Sequence, residues 1–577
     1  MARSSVAEAR RSQLVSTYGI GALFPAEDES FMLVGLDDWD ERHCPEVTQP
    51  RLARSMGVRT FRMPPSGGRG AKDVPVVRFP RMHHCPSCHR LDYLNKFCGW
   101  DEHRCHDCQR TLTPSRFVIC CPNGHIDDFP YFAWVHRGQE FAEGNAHRLS
   151  MRTRGQSSSL KDIVISCSCG VPARTMAGSF GPQAMGGIVN CHGQRPWIRN
   201  SPAQDCEHLP RTLQRGSSNV WFASVRSALS IPPWSEGVHK ILGQYWPMLS
   251  VIPAESLEAT LIGMGIPESS GIPAGELVTA ILEMRGESGG DAPTDSDLRS
   301  EEYGALVLGR PEMDPHQQFV CTPVVDLPED AGVVLERVSE VSRLREVRAL
   351  AGFTRVTPGG DEGDAGGRLA ALSLEMPTWL PAIEVLGEGV FLQLRESHVN
   401  VWERSQFATS RAAAINKSFE LRARQQGVEQ PTTTTARELL LHSFAHVLLT
   451  ELSLDAGYPV ASLRERVYSR DGQTGVLIYT ASSDSAGSLG GLSAQSQPDR
   501  IWAVLQSAIR RARWCSSDPV CIESSGSGAD ALNLAACHAC VLLPETSCER
   551  MNRVLDRATL VGRPGSTDEG FFDRFIS

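Results

Sequence analysis

Apolar and polar positions in the C-terminal half of the chain alternate between the periods of strands and helices. The short, largely apolar runs Gly389–Leu394 and Thr474–Tyr479 predict buried strands. Arg437–Leu452 predicts a largely buried helix, and Thr435 shortly before it is a suitable N-cap. Pro498–Trp514 predicts another helix, whose apolar face consists of Ile501, Val504, Leu505 and Ile509. This alternation predicts an α/β fold class.

Three polar, glycine-rich stretches divide the chain: Pro64–Lys72, Arg285–Ser296 and Thr357–Gly367. They contain few residues that could be buried, which is typical of loops and linkers. We expect a multi-domain protein with a mixed α+β N-terminal part. Its predicted parts are an N-terminal segment (1–63), a cysteine-rich region (73–215), a mainly helical middle region (216–356) and an α/β C-terminal domain (368–577).

Composition and charge exclude several classes of protein. Of the 577 residues, 41% are hydrophobic and 21% are charged, which is close to globular averages and excludes extensive disorder. No run reaches the roughly 20 apolar residues of a membrane-spanning helix, and the N-terminus lacks the apolar block of a secretory signal. We therefore expect a cytoplasmic protein without membrane contact. The net charge of −10 argues against coating of nucleic acid by bulk positive charge.

The 18 cysteines are interpreted as metal ligands, because disulfides are rare in a reducing compartment. The clearest pattern is a pair of Cys-x-x-Cys knuckles separated by sixteen residues, Cys85/Cys88 and Cys105/Cys108. Each knuckle directs two thiolates to one point, and two knuckles complete the tetrahedron of a zinc ribbon. The ion would stabilise a small hairpin that has too little core to fold alone.

A second N-terminal cluster is less regular. Its four proposed ligands are Cys167, Cys169, Cys191 and Cys206. Cys121 and His125 could substitute for members of this set.

A third cluster lies near the C-terminus, where the knuckle Cys537/Cys540 needs two further ligands. The candidates are Cys515, Cys521 and Cys548. Protein ligands can fill all three shells, so we expect two or three structural zinc ions rather than a catalytic ion with an open position. The predicted architecture thus has zinc-stabilised modules at both ends.

Patterns for catalysis are weak. The phosphate-binding pattern GxxxxGK[ST] is absent, so ATP hydrolysis by this chain alone is not expected. His442 and His446 have metal-ligand spacing on one helix face, but without the glutamate of HExxH they are interpreted as satisfied helix histidines at a domain contact. A metal-dependent hydrolase or nuclease that uses His125, Asp127 and Asp128 is the alternative function.

Several stretches resemble known families. Those similar to the zinc-binding domain at the C-terminus of MrfA-type helicases are Leu440–Tyr468, Tyr479–Leu492 and Ala536–Arg557. Those that extend the match along most of the chain are Tyr18–Leu23, Cys121–Pro130 and Arg215–Phe222. The ordered series resembles the DrmB family, which comprises helicase-associated subunits of bacterial DISARM anti-phage systems.

The resemblance implies a non-catalytic, zinc-binding partner of a separate DrmA-like, ATP-dependent DNA helicase. The two proteins would bind DNA in a shared groove, which fits the missing phosphate-binding pattern and the negative net charge. The resemblance places zinc on Cys537, Cys540 and Cys548, favours Cys521 as the fourth ligand and leaves the choice between Cys521 and Cys515 open.

Three arginines beside the third cluster are the candidate DNA-facing side chains: Arg510, Arg511 and Arg513. Arginine is suited to phosphate contacts that position a protein on DNA. The alternative for these residues is a solvated helix face without a DNA partner.

Overall fold

The computed structural model divides the chain into two compact units. The first contains Met1–Val47, Val58–Arg226 and Arg348–Ile383, and the second contains Thr48–Gly57, Ser227–Val347 and Glu384–Ser577. The residues that the structure describes are 5–67, 73–99, 102–139, 147–155, 159–236, 238–285, 292–313, 317–359, 369–426, 431–480, 490–528, 531–566 and 568–576.

Strands occur throughout the described residues. In chain order they are β1 Leu23–Ala26, β2 Glu29–Leu33, β3 Glu46–Val47, β4 Thr60–Arg62, β5 Val76–Arg78, β6 Met82–His84, β7 Arg90–Tyr93, β8 Thr113–Pro114, β9 Phe117–Cys120, β10 Ile126–Asp128, β11 Leu149–Thr153, β12 Ile163–Cys167, β13 Arg174–Thr175, β14 Arg211–Gln214, β15 Phe222–Leu229, β16 Val320–Pro323, β17 Leu335–Thr354, β18 Trp379–Leu394, β19 Leu463–Tyr468 and β20 Gly475–Thr480.

The α-helices are concentrated in the second unit. In chain order they are α1 Gln13–Ser16, α2 Pro50–Ser55, α3 Tyr131–Val135, α4 Val238–Leu249, α5 Ala254–Gly263, α6 Ile266–Ser270, α7 Ala274–Arg285, α8 Asp295–Leu308, α9 Glu329–Val334, α10 Glu396–Trp402, α11 Gln406–Gln426, α12 Ala436–Ala456, α13 Pro498–Ala512 and α14 Ala558–Val561.

Small antiparallel sheets build the first unit. Their strand orders are β1-β2-β5, β10-β9-β14 and, in the six-stranded sheet, β13-β12-β11-β7-β6-β8. A core that includes Leu91, Phe117, Phe129 and Trp134 packs against these strands. Cysteines follow several strand ends directly: Cys85 comes after β6, and Cys121 comes after β9. The β6–β7 and β9–β10 hairpins therefore hold Cys85 and Cys121 at their turns.

Helix α12 is the centre of the second unit. Its N-cap Thr435 accepts a hydrogen bond at Oγ1 from the Glu438 amide, at 3.1 Å. The helix ends at Ala456 and is capped by Gly457, whose φ of +73° is the left-handed conformation that glycine adopts without a steric penalty. Its apolar side chains, among them Phe444, pack with Ile478 of β20 and Leu505 of α13. The second unit thus surrounds one largely buried helix.

The predicted α/β fold class, with several modules and metal-ligand clusters at both ends, is confirmed. The predicted helices correspond to α12 and α13; the predicted strand Gly389–Leu394 lies within β18, and the predicted strand Thr474–Tyr479 is β20 displaced by one residue. The middle region at 216–356 contains α4 to α9, but it also contains the 20-residue strand β17. Among the described residues, no helix is both long and apolar enough to cross a membrane.

Candidate metal centres

The two N-terminal knuckles meet in one cluster. Its ligand atoms lie within 4.8 Å of one another and belong to Cys85, Cys88, Cys105 and Cys108. The knuckles share a backbone geometry: the Cys85 amide donates to Arg90 at 2.9 Å, and the Cys105 amide donates to Arg110 at 2.9 Å. Each turn also contains a residue with positive φ, His89 at 63° and Gln109 at 54°. Two equivalent turns therefore direct four thiols to one point.

The second cluster contains Cys121, His125, Cys191 and Cys206. His125 Nδ1 lies 3.4 Å from the Cys121 sulfur and 3.5 Å from the Cys191 sulfur. His125 Nε2 lies 2.7 Å from Gln204 Oε1, an amide oxygen that can only accept a hydrogen bond. The Nε2 proton is thus used by Gln204, and Nδ1 presents its lone pair to the sulfurs, as a metal ligand does.

The first unit contains one more cluster, and two of its members are histidines that the sequence analysis missed. Its members are His136, His147, Cys167 and Cys169. His136 Nδ1 donates to the Phe132 carbonyl at 2.7 Å, which leaves Nε2 to face the Cys169 sulfur at 3.3 Å. His147 Nδ1 lies 3.5 Å from the Cys167 sulfur.

The sequence analysis placed Cys167, Cys169, Cys191 and Cys206 in one shell, but the structure does not bring them together. Cys167 ends strand β12, where His136 and His147 approach it. Cys191 and Cys206 instead lie beside the β9–β10 hairpin, where Cys121 and His125, the two substitutes considered, complete their cluster. The physical reason is that Cys167 ends a strand of the six-stranded sheet, whereas the cluster of Cys191 and Cys206 forms beside the separate β10-β9-β14 sheet.

The C-terminal knuckle Cys537/Cys540 lies with both Cys515 and Cys521. The sulfurs of Cys515 and Cys537 are 3.5 Å apart, and those of Cys521 and Cys540 are 3.7 Å apart. The structure thus places both Cys515 and Cys521, between which the choice was open, beside the knuckle. It places Cys548, which the resemblance assigned to this shell, in a separate cluster with His442 and His446 of α12 and Glu465 of β19.

The sulfur separations distinguish metal sites from disulfides. The measured distances run from 3.5 Å for Cys515 and Cys537 to 3.9 Å for Cys121 and Cys206. A disulfide requires about 2.05 Å. Tetrahedral zinc with bonds of about 2.3 Å to sulfur separates two thiolates by about 3.8 Å. The clusters around Cys121 and around Cys537, to which these distances belong, therefore have the spacing of thiolates bound to zinc. The two other clusters with at least two cysteines offer the same kinds of ligand.

The residues of the alternative hydrolase do not assemble around a metal position. Arg81 donates to Asp128 and to Asp127, at 2.9 Å in both cases. Asp128 also accepts from the Met82 amide at 2.9 Å. Burial raises the pKa of Asp128 above its ordinary value, and the Arg81 guanidinium opposes this. His125 meanwhile faces the cysteines of its own cluster.

The three candidate DNA-facing arginines lie at the end of α13 and have different surroundings. Arg510 is exposed. Arg511 forms an ion pair with Glu451 at 3.2 Å, and Arg513 donates to the carbonyl of Ile576. The next residue, Trp514, is 72% exposed. An exposed tryptophan beside a basic helix end is a feature that the sequence analysis did not consider.

Comparison with known proteins places these clusters in a family context. Residues 444–541 match the MrfA Zn-binding domain, and residues 10–222 match a domain of unknown function, DUF8724. The chain is 29% identical over 569 residues to the DISARM protein DrmB of Bacillus paralicheniformis, which covers 94% of this chain and 99% of that protein. The chain is similar to DrmB along nearly its whole length. The resemblance to DrmB and zinc as the cofactor are both confirmed.

The clusters are compatible with the predicted two or three zinc ions and offer further positions. The described residues contain the four clusters above and a fifth beside α12. Four of the five contain at least two cysteines. The MrfA Zn-binding domain match covers Cys515, Cys521, Cys537 and Cys540.

Proposed function

We propose that this chain is a non-catalytic, zinc-stabilised partner subunit of a DNA helicase in bacterial anti-phage defence. The observation that carries the proposal is the similarity to DISARM protein DrmB over 94% of the chain. The candidate metal shells support a structural role, because each contains four protein ligands and none needs water to complete a tetrahedron. The alternative hydrolase gains no support, since Arg81 engages both carboxylates.

The zinc ions in this proposal hold short loops in fixed positions. The ribbon cluster around Cys85 has a core that consists partly of its own ligands: Cys85 and Cys105 pack with Leu94, Phe97 and Leu112. So small a core cannot offset the chain entropy that is lost on folding, and the metal supplies the missing free energy. Loops fixed in this way can present a constant surface to a partner protein.

In this proposal the partner protein contains the ATP-hydrolysing motor of the helicase. A DrmA-like helicase would hydrolyse ATP, and this chain would regulate it and shape the path of the DNA. A groove formed by both proteins would allow DNA binding despite the net charge of −10, because only the local charge at the groove matters.

The DNA contact of this chain is proposed to lie at the end of α13. Arg510 would bind a phosphate, and Trp514, being 72% exposed, would stack on an unpaired base. Arg511 and Arg513 already have partners in Glu451 and Ile576, so they would add charge to the surface while keeping those contacts.

Substituting this surface should weaken single-stranded DNA binding by the helicase complex. We expect the double variant Arg510→Ala/Trp514→Ala to raise the Kd about 10- to 100-fold, because base stacking alone contributes about 1–3 kcal/mol. The slope of log K against log salt should become shallower by about one, since one phosphate contact is lost. Fluorescence anisotropy with a labelled oligonucleotide at several salt concentrations measures both effects.

The matched control is Arg424→Ala, which removes an arginine that is 77% exposed on α11 of the same unit. It should leave the Kd within twofold. Equal affinities for the double variant, the control and the unchanged complex would remove this surface from the proposal.

A further inference from the structure

The fifth cluster is a deeply buried group of ionisable side chains beside α12. Its members are His442 and His446 of α12, Glu465 of β19, and Cys548. Their relative exposures are 2%, 0%, 1% and 4%. The two histidines lie one helical turn apart, so both imidazoles project from the same face of α12. Four side chains of three types that zinc accepts thus converge away from water.

Hydrogen bonds at the outer ring nitrogens define which atoms face the centre. His442 Nδ1 lies 3.0 Å from the Val554 carbonyl, and His446 Nδ1 lies 2.8 Å from the Val541 carbonyl. A carbonyl oxygen only accepts, so both Nδ1 atoms carry protons. In the neutral rings both Nε2 atoms then present lone pairs. This is the arrangement by which outer hydrogen bonds orient metal-binding histidines.

Without a cation, the ligand atoms at the centre of this cluster would repel one another. The two Nε2 atoms are only 3.1 Å apart. His442 Nε2 is also 2.9 Å from Glu465 Oε1 and 3.3 Å from the Cys548 sulfur. Lone pairs, a carboxylate and a thiol at these distances need a positive charge between them. Two imidazolium rings would supply it only by placing like charges in a buried site with their Nε2 atoms 3.1 Å apart.

A divalent ion satisfies both the charge and the spacing. Its two positive charges neutralise one carboxylate and one thiolate. Tetrahedral zinc separates two nitrogen ligands by about 3.3 Å and a nitrogen and a sulfur by about 3.5 Å, close to the observed separations. The second carboxylate oxygen, Glu465 Oε2, is buried and has no hydrogen-bond partner. A bound ion would compensate for this missing contact.

We propose that His442, His446, Glu465 and Cys548 form a separate structural zinc site in the second unit. Imidazole and thiolate favour zinc over magnesium or calcium, which prefer oxygen ligands. The shell is closed by four protein ligands, so the ion connects α12, β19 and the segment around Cys548 rather than activating water. Cys548 accordingly serves this site, and the Cys537/Cys540 knuckle is completed by Cys515 and Cys521.

Counting zinc ions per full-length chain by native mass spectrometry tests this site. We expect His446→Gln to bind one zinc ion fewer than the unchanged protein. The control His398→Gln alters a half-buried histidine of α10 that stacks on Phe575 at 5.1 Å and belongs to none of the clusters in the described chain. It should keep the full zinc count. A folded His446→Gln protein with an unchanged count would overturn the proposal.

A second measurement needs no variant and covers the case in which His446→Gln does not fold. The unchanged protein loaded with cadmium should give a 113Cd resonance upfield of those from sites with two to four thiolates, because each thiolate shifts the resonance downfield. The proposed shell has one thiolate, in Cys548, whereas the other clusters have two or more cysteines. A spectrum without a resonance in the single-thiolate range would contradict the site.

Discussion

Full removal of zinc with a strong chelator is expected to abolish the cooperative unfolding transition of this chain. Structural zinc contributes an apparent binding free energy of about 10–16 kcal/mol in small zinc domains. A whole domain is stable by only about 5–15 kcal/mol. Each unit contains at least one cluster with four ligands. The free energy lost when the ions are removed should therefore exceed the free energy of unfolding of either unit.

Circular dichroism during heating, with metal content verified by elemental analysis, measures this effect. Limited proteolysis should show early cleavage between residues 85 and 108, where the hairpin core includes the ligands Cys85 and Cys105. Readdition of zinc in excess of the chelator is the control and should restore the transition. A zinc-free protein that melts at the original temperature would show that the clusters are not structural metal sites.

Arg466→Met is expected to lower the free energy of unfolding by about 3–5 kcal/mol, the largest single-residue effect that we predict. Arg466 on β19 is fully buried. Its guanidinium binds Glu302 through two hydrogen bonds of 2.7 and 2.9 Å, and it also donates to Glu346 at 3.2 Å. Removal of the cation leaves the buried carboxylates of Glu302 and Glu346 without this guanidinium and its positive charge.

Chemical denaturation of the zinc-loaded protein measures this change. Addition of Glu302→Gln to Arg466→Met should recover part of the loss, because one uncompensated charge disappears. Arg424→Met is the surface control: its nearest approach to Glu420 is 3.9 Å, and its loss should change stability by less than about 0.5 kcal/mol. If Arg466→Met matched that control, the buried network would contribute nothing to stability.

Local signals in the sequence predict the parts of the structure that depend on neighbouring residues. The N-cap at Thr435 and the proline start of α13 follow from the rules for helix ends. The knuckles Cys85/Cys88 and Cys105/Cys108 each form within one turn, so their spacing predicts a shared centre.

Long-range pairing is what the sequence does not reveal. Cys121 and Cys206 meet although 85 positions separate them, because β9, β10 and β14 share one sheet. His136 and His147 carry no knuckle spacing, so nothing local distinguishes them from other histidines. Cys548 fits the C-terminal knuckle by proximity in sequence, yet the fold places it against His442. Cluster membership is decided by sheet and helix packing.

The most direct test of the central claim is the native mass of the tagged full-length chain when it is co-expressed with a DrmA-like DNA helicase from the same genome. The account predicts a stable complex of the two proteins that retains its zinc ions through purification. Recovery of the zinc-loaded chain alone, with the helicase expressed but unbound, would contradict the proposed role as a helicase partner.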